Sequence, residues 1–215
     1  MSESTPLIVA IDGPAASGKS TVARRIASEL GCVFVNSGAM YRAFTWWALE
    51  SGVDTADIPA VLNLLEKTEF ECGEEDRVGT ISVGGKRMTR DELSDPRVNG
   101  NVSAIATIPE VRERLVAEQR LYATRYDVVM EGRDIGSVVF PETPFKFYID
   151  ASPEVRAQRR RAEGIADEII ERDRIDSSRK ASPLVIADRA IVIDSSHLSV
   201  DEVVAQVIEA IRGAE

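Results

Sequence analysis

LIVAIDGPAASGKSTVARRIASEL, residues 7–30, decides the fold. Its apolar run Leu7–Ile11 reads as a buried strand, Gly13 and Gly18 bracket a turn, and Lys19, Ser20 and Thr21 open a helix that continues to Leu30. Gly13-x4-Gly18-Lys19-Ser20 is a complete phosphate-loop pattern in the strand-loop-helix setting that the pattern requires. Glycines let the backbone curl so that successive N–H groups face an anion, the helix N-terminus adds partial positive charge, and Lys19 reaches the outer phosphates. The Ser20 hydroxyl is suited to Mg2+. Gly13, Pro14, Ala15, Ala16 and Ser17, followed by Gly18, Lys19, Ser20 and Thr21, are thus the expected seat of a nucleoside triphosphate. What happens to its phosphates is not written in the loop.

Outward from this stretch, Gly31 stops the first helix and Cys32–Val35 reads as a second strand ending in Asn36-Ser37-Gly38. Ala39–Leu49 is helical, with Ser37 expected as its cap, and Arg42 in its first turns is a phosphate-ligand candidate. In a parallel sheet that junction lies at the carboxyl edge, where ligands bind. Ile58–Leu65 is a further helix. Residues 68–103 change character: short alternating runs around Gly84-Gly85 predict a small antiparallel insertion standing outside the main sheet, then a short helical or turn-like stretch at Asp91–Val98 with a break at Asn99-Gly100. Thr107–Tyr122 predicts a helix, with Thr107 and Glu110 at capping-box spacing.

Tyr126–Met130 is the third core strand and runs into Glu131-Gly132-Arg133-Asp134; Phe145–Ile149 is the fourth. Pro153 opens an arginine-rich helix on which Arg156 and Arg160 share a face while Arg159 and Arg161 look elsewhere. Ala166–Ile175 follows as a helix, with Arg172, Asp176 and Arg179 spaced to converge across it and its exit loop. Ala190–Ile193 is the fifth strand, and Ser199 with Glu202 caps a last helix whose Val203, Val204, Val207, Ile208 and Ile211 form one apolar face. Five strands with helical connections predict an α/β fold, a three-layer α/β/α arrangement around a five-stranded parallel sheet.

Composition narrows the function. A chain of 215 residues, 44% hydrophobic and 29% charged, suits one globular domain with a modest insertion. Nothing resembles a signal peptide or a membrane span. Cys32 and Cys72 have neither zinc spacing nor a disulfide framework, so a reducing cytoplasm is expected. One histidine, His197, leaves no histidine-built metal site, and a net charge of −10 argues against nucleic-acid binding. Seven arginines nonetheless fall between Arg156 and Arg179. Such a cluster is either a bidentate phosphate site or a solvated helix face laced with salt bridges. Phosphoryl transfer needs positive charge around the moving group, an in-line acceptor and exclusion of water. A phosphate loop, arginines at strand ends and an arginine-rich lid therefore favour a small-molecule kinase over a nucleotide-dependent switch.

GPAASGKST, NSGAMYRA, EGRDIGSVVFP, FKFYIDASPEVRAQRR and ERDRIDSSRKASPL together resemble the bacterial-type cytidylate (CMP/dCMP) kinase family over nearly the whole chain. The resemblance implies ATP-dependent conversion of CMP and dCMP to CDP and dCDP, with Mg2+ as cofactor. It implies a P-loop kinase core at 1–36, 124–155 and 183–215. Residues 37–123 would form an enlarged monophosphate-binding region with its insertion at about 68–103, and 156–182 a short lid.

It also implies roles. Lys19, Arg133, Arg172 and Arg179 would be catalytic. Ser37 and Arg42 would hold the monophosphate, Ser103, Arg112 and Asp134 would read cytosine, and Arg133 would bind the acceptor phosphate. Arg172, Asp176 and Arg179 would complete the CMP site, with Asp176 on the sugar. Arg156 and Arg160 would bracket the donor ATP, and Glu131 would assist Ser20 at Mg2+ through water. A cytoplasmic monomer acting on small molecules, with no nucleic-acid or membrane partner, is the accompanying expectation. The chain departs from the family pattern at Asn36 and Glu131, where aspartate is commoner, and in its short lid between Arg161 and Glu168. Kinases acting on UMP, AMP or shikimate are the nearest alternatives.

Overall fold

A computed structural model describes residues 6–162 and 184–213. The opening apolar run forms β1 (Ile8–Asp12), and α1 (Lys19–Leu30) leaves the loop behind it. β2 (Val33–Asn36), β6 (Val128–Gly132), β7 (Phe145–Asp150) and β8 (Ile191–Asp194) join β1 in parallel, in the order β2-β6-β1-β7-β8. These are the five parallel strands that the sequence predicts, but they belong to a larger sheet that has eight strands among the described residues.

Alternation along the strands explains the layers. Val9 and Ile11 of β1 face a core built with Val22 and Ile26 of α1 and with Val203, Val207 and Ile211 of the last helix, α8 (Val200–Arg212). Ala10 faces the opposite core, which gathers Met40 and Phe44 of α2 (Ser37–Glu50), Val61 of α3 (Ile58–Lys67) and Val111 and Leu115 of α6 (Pro109–Tyr122). The expected face of α8 is buried, and Ser199 and Glu202 make the expected capping box: Ser199 Oγ accepts from Glu202 N at 3.3 Å and Ser199 N donates to the Glu202 carboxylate at 2.8 Å. Such caps contribute about 1 kcal/mol.

The insertion does not stand outside the sheet. β3 (Phe70–Glu75), β4 (Val78–Val83) and the short β5 (Lys86–Arg87) are antiparallel to one another, but β4 continues the main sheet beside β2, with Phe34 N donating to Arg77 O at 2.9 Å. Burial is the reason. Phe70, Ile81 and Val83 belong to the same apolar cluster as Phe44, Val61 and Leu115, so the hairpin cannot leave without exposing that core.

Three local expectations are corrected. Asn36, not Ser37, caps α2: its side chain accepts from Ala39 N at 3.1 Å and Ser37 is already helical. Thr107 and Glu110 form no capping box, because Pro109 opens α6 and the Thr107 hydroxyl bonds back to Ala104 O. Asn99-Gly100 is no break. After α4 (Arg90–Leu93), α5 (Pro96–Ile105) starts at an Asp95 cap and passes through both residues. Buried Val98, Val102 and Ile105 recur at helical spacing and outweigh the glycine cost of about 1 kcal/mol. Ser103 consequently rides on a helix.

Candidate active site

The carboxyl ends of β1, β6 and β2 lie side by side, with Ile11 level with Glu131 and Glu131 level with Asn36. This edge carries a cleft of about 300 Å3. On one side stands the phosphate loop, and on the other the starts of α2 and α6 with the face of α5. Lys19, Ser20, Ser37, Arg42, Ser103, Arg112, Glu131, Arg133, Asp134 and Arg160 all line it. The fold thus brings together residues that the sequence spreads over more than 140 positions.

The loop takes its shape from backbone that only glycine adopts easily. Gly13 has φ 152° and Gly18 φ 88°, and a β-carbon on Gly13 would collide with the Ile149 carbonyl. Lys19 Nζ donates to Pro14 O at 3.0 Å and stands 3.9 Å from the Glu131 carboxylate. Ser20 Oγ donates to Glu131 Oε1 at 2.7 Å. Glu131 is buried at the end of β6, so a hydroxyl and a carboxylate oxygen meet beside the lysine. Two hard oxygen donors, left to share an ion with phosphate oxygens, suit Mg2+.

Across the cleft Ser37 Oγ donates to Glu131 O at 2.9 Å. That approach needs Gly132: a β-carbon there would overlap Ser37 Oγ and sit 2.7 Å from Ile135 Cδ1. Arg133 Nη1 donates to Gly13 O at 2.8 Å, tying the end of β6 to the phosphate loop. Arg112 and Asp134 form a buried ion pair, and Arg112 also donates to Ala106 O at 3.0 Å and lies over the Tyr41 ring, 5.2 Å from its centre. With neither partner more than 5% exposed, geometry is fixed by mutual need, because either charge alone would be costly there.

Sequence reasoning missed Asp12. Its carboxylate, 3% exposed, accepts from Ile135 N at 2.7 Å and Gly136 N at 2.8 Å, so the end of β1 holds the π-helical turn Ile135–Val139 that follows Asp134. Burial raises its pKa to about 7, Asp134 adds to the rise, and the two backbone donors and Lys19 oppose it. An ionisable residue closing an otherwise apolar core strand was the available signal.

Arg159 does not line the cleft; its guanidinium reaches behind the phosphate loop and donates to Ser17 O at 3.0 Å and to Ser195 O at 2.8 Å. Arg156, on α7 (Pro153–Ala162), donates to Ala15 O at 3.3 Å and Ala151 O at 3.1 Å, from behind the loop. Arg172, Asp176 and Arg179 lie outside the described residues.

The family model of cytidylate kinase matches residues 9–213. This chain belongs to the cytidylate kinase family. It is 46% identical over 213 residues to a cytidylate kinase of Pelotomaculum thermopropionicum, covering 93% of each chain. It is 42% identical over 218 residues to one of Alkaliphilus metalliredigens, covering 96% of this chain and 97% of the relative. Among solved structures, a gluconokinase of Sinorhizobium meliloti superposes with a TM-score of 0.52 at 13% identity, over 98% of this chain and 94% of the other, a likeness of fold alone. Family membership makes the chain a phosphotransferase. No described helix is long and apolar enough to cross a membrane.

Proposed function

We propose that the chain transfers the γ-phosphoryl group of ATP directly to the phosphate of CMP or dCMP, giving ADP and CDP or dCDP. The observation that carries this reading is the single cleft in which a phosphate loop faces a buried Arg112–Asp134 pair across Arg42 and Arg133. Residues 13–21, with Lys19, bind the donor phosphates, and Arg156 and Arg160 support that side. Ser20, with Glu131 through water, would hold Mg2+, which would supply positive charge to the outer donor phosphates. Ser37, Arg42 and Arg133 seat the acceptor phosphate, and Arg172, Asp176 and Arg179 complete that half from the lid.

Ser103, Arg112 and Asp134 read the base. Cytosine offers an exocyclic amine to an acceptor oxygen and ring O2 and N3 to donors; uracil reverses the pattern at position 4 and would leave a buried acceptor facing an oxygen. A phosphate oxygen of CMP is nucleophilic near neutral pH, so no general base is assigned. Residues 37–123 act as the monophosphate-binding region and 156–182 as the lid of a cytoplasmic monomer.

The test is a coupled ADP-release assay across CMP, dCMP, UMP and AMP with Mg-ATP. CMP and dCMP are expected to be turned over with kcat/KM roughly a hundredfold above UMP, the scale of one buried polar group left unsatisfied. A preference for UMP or AMP would overturn the assignment of Ser103, Arg112 and Asp134.

A further inference from the structure

The carbonyls of the phosphate loop are held by donors that come from four different parts of the chain. Gly13 O takes Arg133, Pro14 O takes Lys19, Ala15 O takes Arg156, and Ser17 O takes two donors, Arg159 at 3.0 Å and Ser195 Oγ at 2.9 Å. In a trans peptide the C=O of one residue and the N–H of the next point in opposite directions. A donor that grips Ser17 O from one side therefore turns the Gly18 N–H to the other. Gly18 and Lys19 line the cleft, whereas Ser17, Arg159 and Ser195 do not. The grip is behind the loop and the N–H faces the site.

The grip is itself built. Ser195 is 4% exposed; its N–H donates to Asp150 O at the end of β7 at 2.8 Å, and its carbonyl and hydroxyl receive Arg159 at 2.8 and 3.1 Å. Two strand ends, β7 and β8, and one helix, α7, thus converge on one peptide of the loop. Gly18, at φ 88°, is the left-handed residue where the loop becomes α1; its own carbonyl accepts from Thr21 N and Val22 N, both at 3.1 Å, so the helix fixes the peptide after Gly18 while Arg159 and Ser195 hold the one before it.

We propose that Arg159 and Ser195 are positioning residues for the phosphoryl donor. They hold the Ser17–Gly18 peptide turned so that its N–H meets the donor phosphates, and they tie α7 to the loop that it serves. They touch backbone, not nucleotide. The proposal rests on the reading of the loop as the ATP site.

Its test is equilibrium binding of ATP and of GTP by calorimetry, without acceptor, together with KM for Mg-ATP and for CMP. The variants are Ser195→Ala, Ser195→Thr, Arg159→Ala and Arg159→Lys. Arg159→Ala is expected to weaken ATP binding roughly tenfold and Ser195→Ala roughly threefold, the scale of a charged and a neutral hydrogen bond. The CMP KM should stay within about twofold, and GTP should lose the same factor as ATP, since the loop sees phosphates alone. Ser195→Thr keeps the hydroxyl and should restore binding; Arg159→Lys should restore it in part, having one donor point where two carbonyls wait.

Because Ser195→Ala deletes one oxygen, it keeps the proposal testable if Arg159→Ala does not fold. Unchanged ATP binding in Ser195→Ala would overturn it, as would an equal rise in both KM values or a loss confined to ATP over GTP. If the wild-type chain itself failed to bind ATP, the reading of the loop would fall instead, and that outcome is visible before any variant is made.

Discussion

Replacing Asp12 by asparagine should change how stability depends on pH, and the size of the change follows from the site. In the unfolded chain an aspartate ionises near pH 3.8; in the fold, burial raises Asp12 to about 7. Between these values the native protein binds the proton that the unfolded chain has released, so stability falls as pH rises. For these two values, the contribution of Asp12 drops by about 2 kcal/mol from pH 5 to pH 7. Asparagine cannot ionise, so the variant lacks this slope. It also presents a single oxygen to two backbone donors, Ile135 N and Gly136 N, and so leaves one unmet. That costs roughly 1–3 kcal/mol at every pH.

Urea unfolding followed by circular dichroism, on both proteins without nucleotide, gives the comparison. The advantage of wild type over Asp12→Asn should be largest at pH 5 and shrink by about 2 kcal/mol at pH 7, as other titrating groups cancel in the difference. A gap that stays constant within about 0.5 kcal/mol would refute the reasoning, because it would mean that the two N–H donors and Lys19 keep Asp12 ionised throughout.

Gly132→Ala should raise the CMP KM roughly tenfold and leave the Mg-ATP KM near wild type, since the new methyl drives Ser37 Oγ and Ile135 from their places on the acceptor side; steady-state kinetics decide it. Asp134→Ala should cost about 3–5 kcal/mol in unfolding free energy by stranding the buried Arg112 guanidinium. The double change Arg112→Met with Asp134→Leu should recover most of that stability without recovering CMP binding, as urea unfolding and calorimetry together would show. Burial pushes the Cys32 and Cys72 thiols up to about 11, so alkylation by iodoacetamide at pH 8 should be roughly a hundredfold slower in the native than in the denatured protein; mass spectrometry of timed samples measures it.

Several of these features could be read along the chain and others could not. Signals that act over a few residues are self-contained. The phosphate loop is one, since its glycines, its lysine and the strand before it lie within fifteen residues. The Ser199–Glu202 cap and the apolar face of α8 are others. Asp12 and Arg159 escaped because their partners are over 120 and over 30 residues away, at Ile135 and at Ser17 and Ser195. For Arg159 a local hint existed: it follows Arg156 by three positions, a spacing that shares a helix face as well as four does.

By itself the sequence determined the parallel core and the phosphate loop, because both are written in local period and motif; residues such as Ser103, Arg112 and Asp134 were pointed to only by the resemblance to a family. Only the tertiary structure decided three things. It placed the hairpin in the main sheet rather than beside it, because Ile81 and Val83 had an apolar cluster to complete. It carried Ser103 onto a helix through Asn99-Gly100, because a buried stripe outweighed the local cost. And it shaped the phosphate loop from behind, through Arg156, Arg159 and Ser195, because the orientation of a peptide depends on which donors reach its carbonyl, and those donors come from distant strand ends.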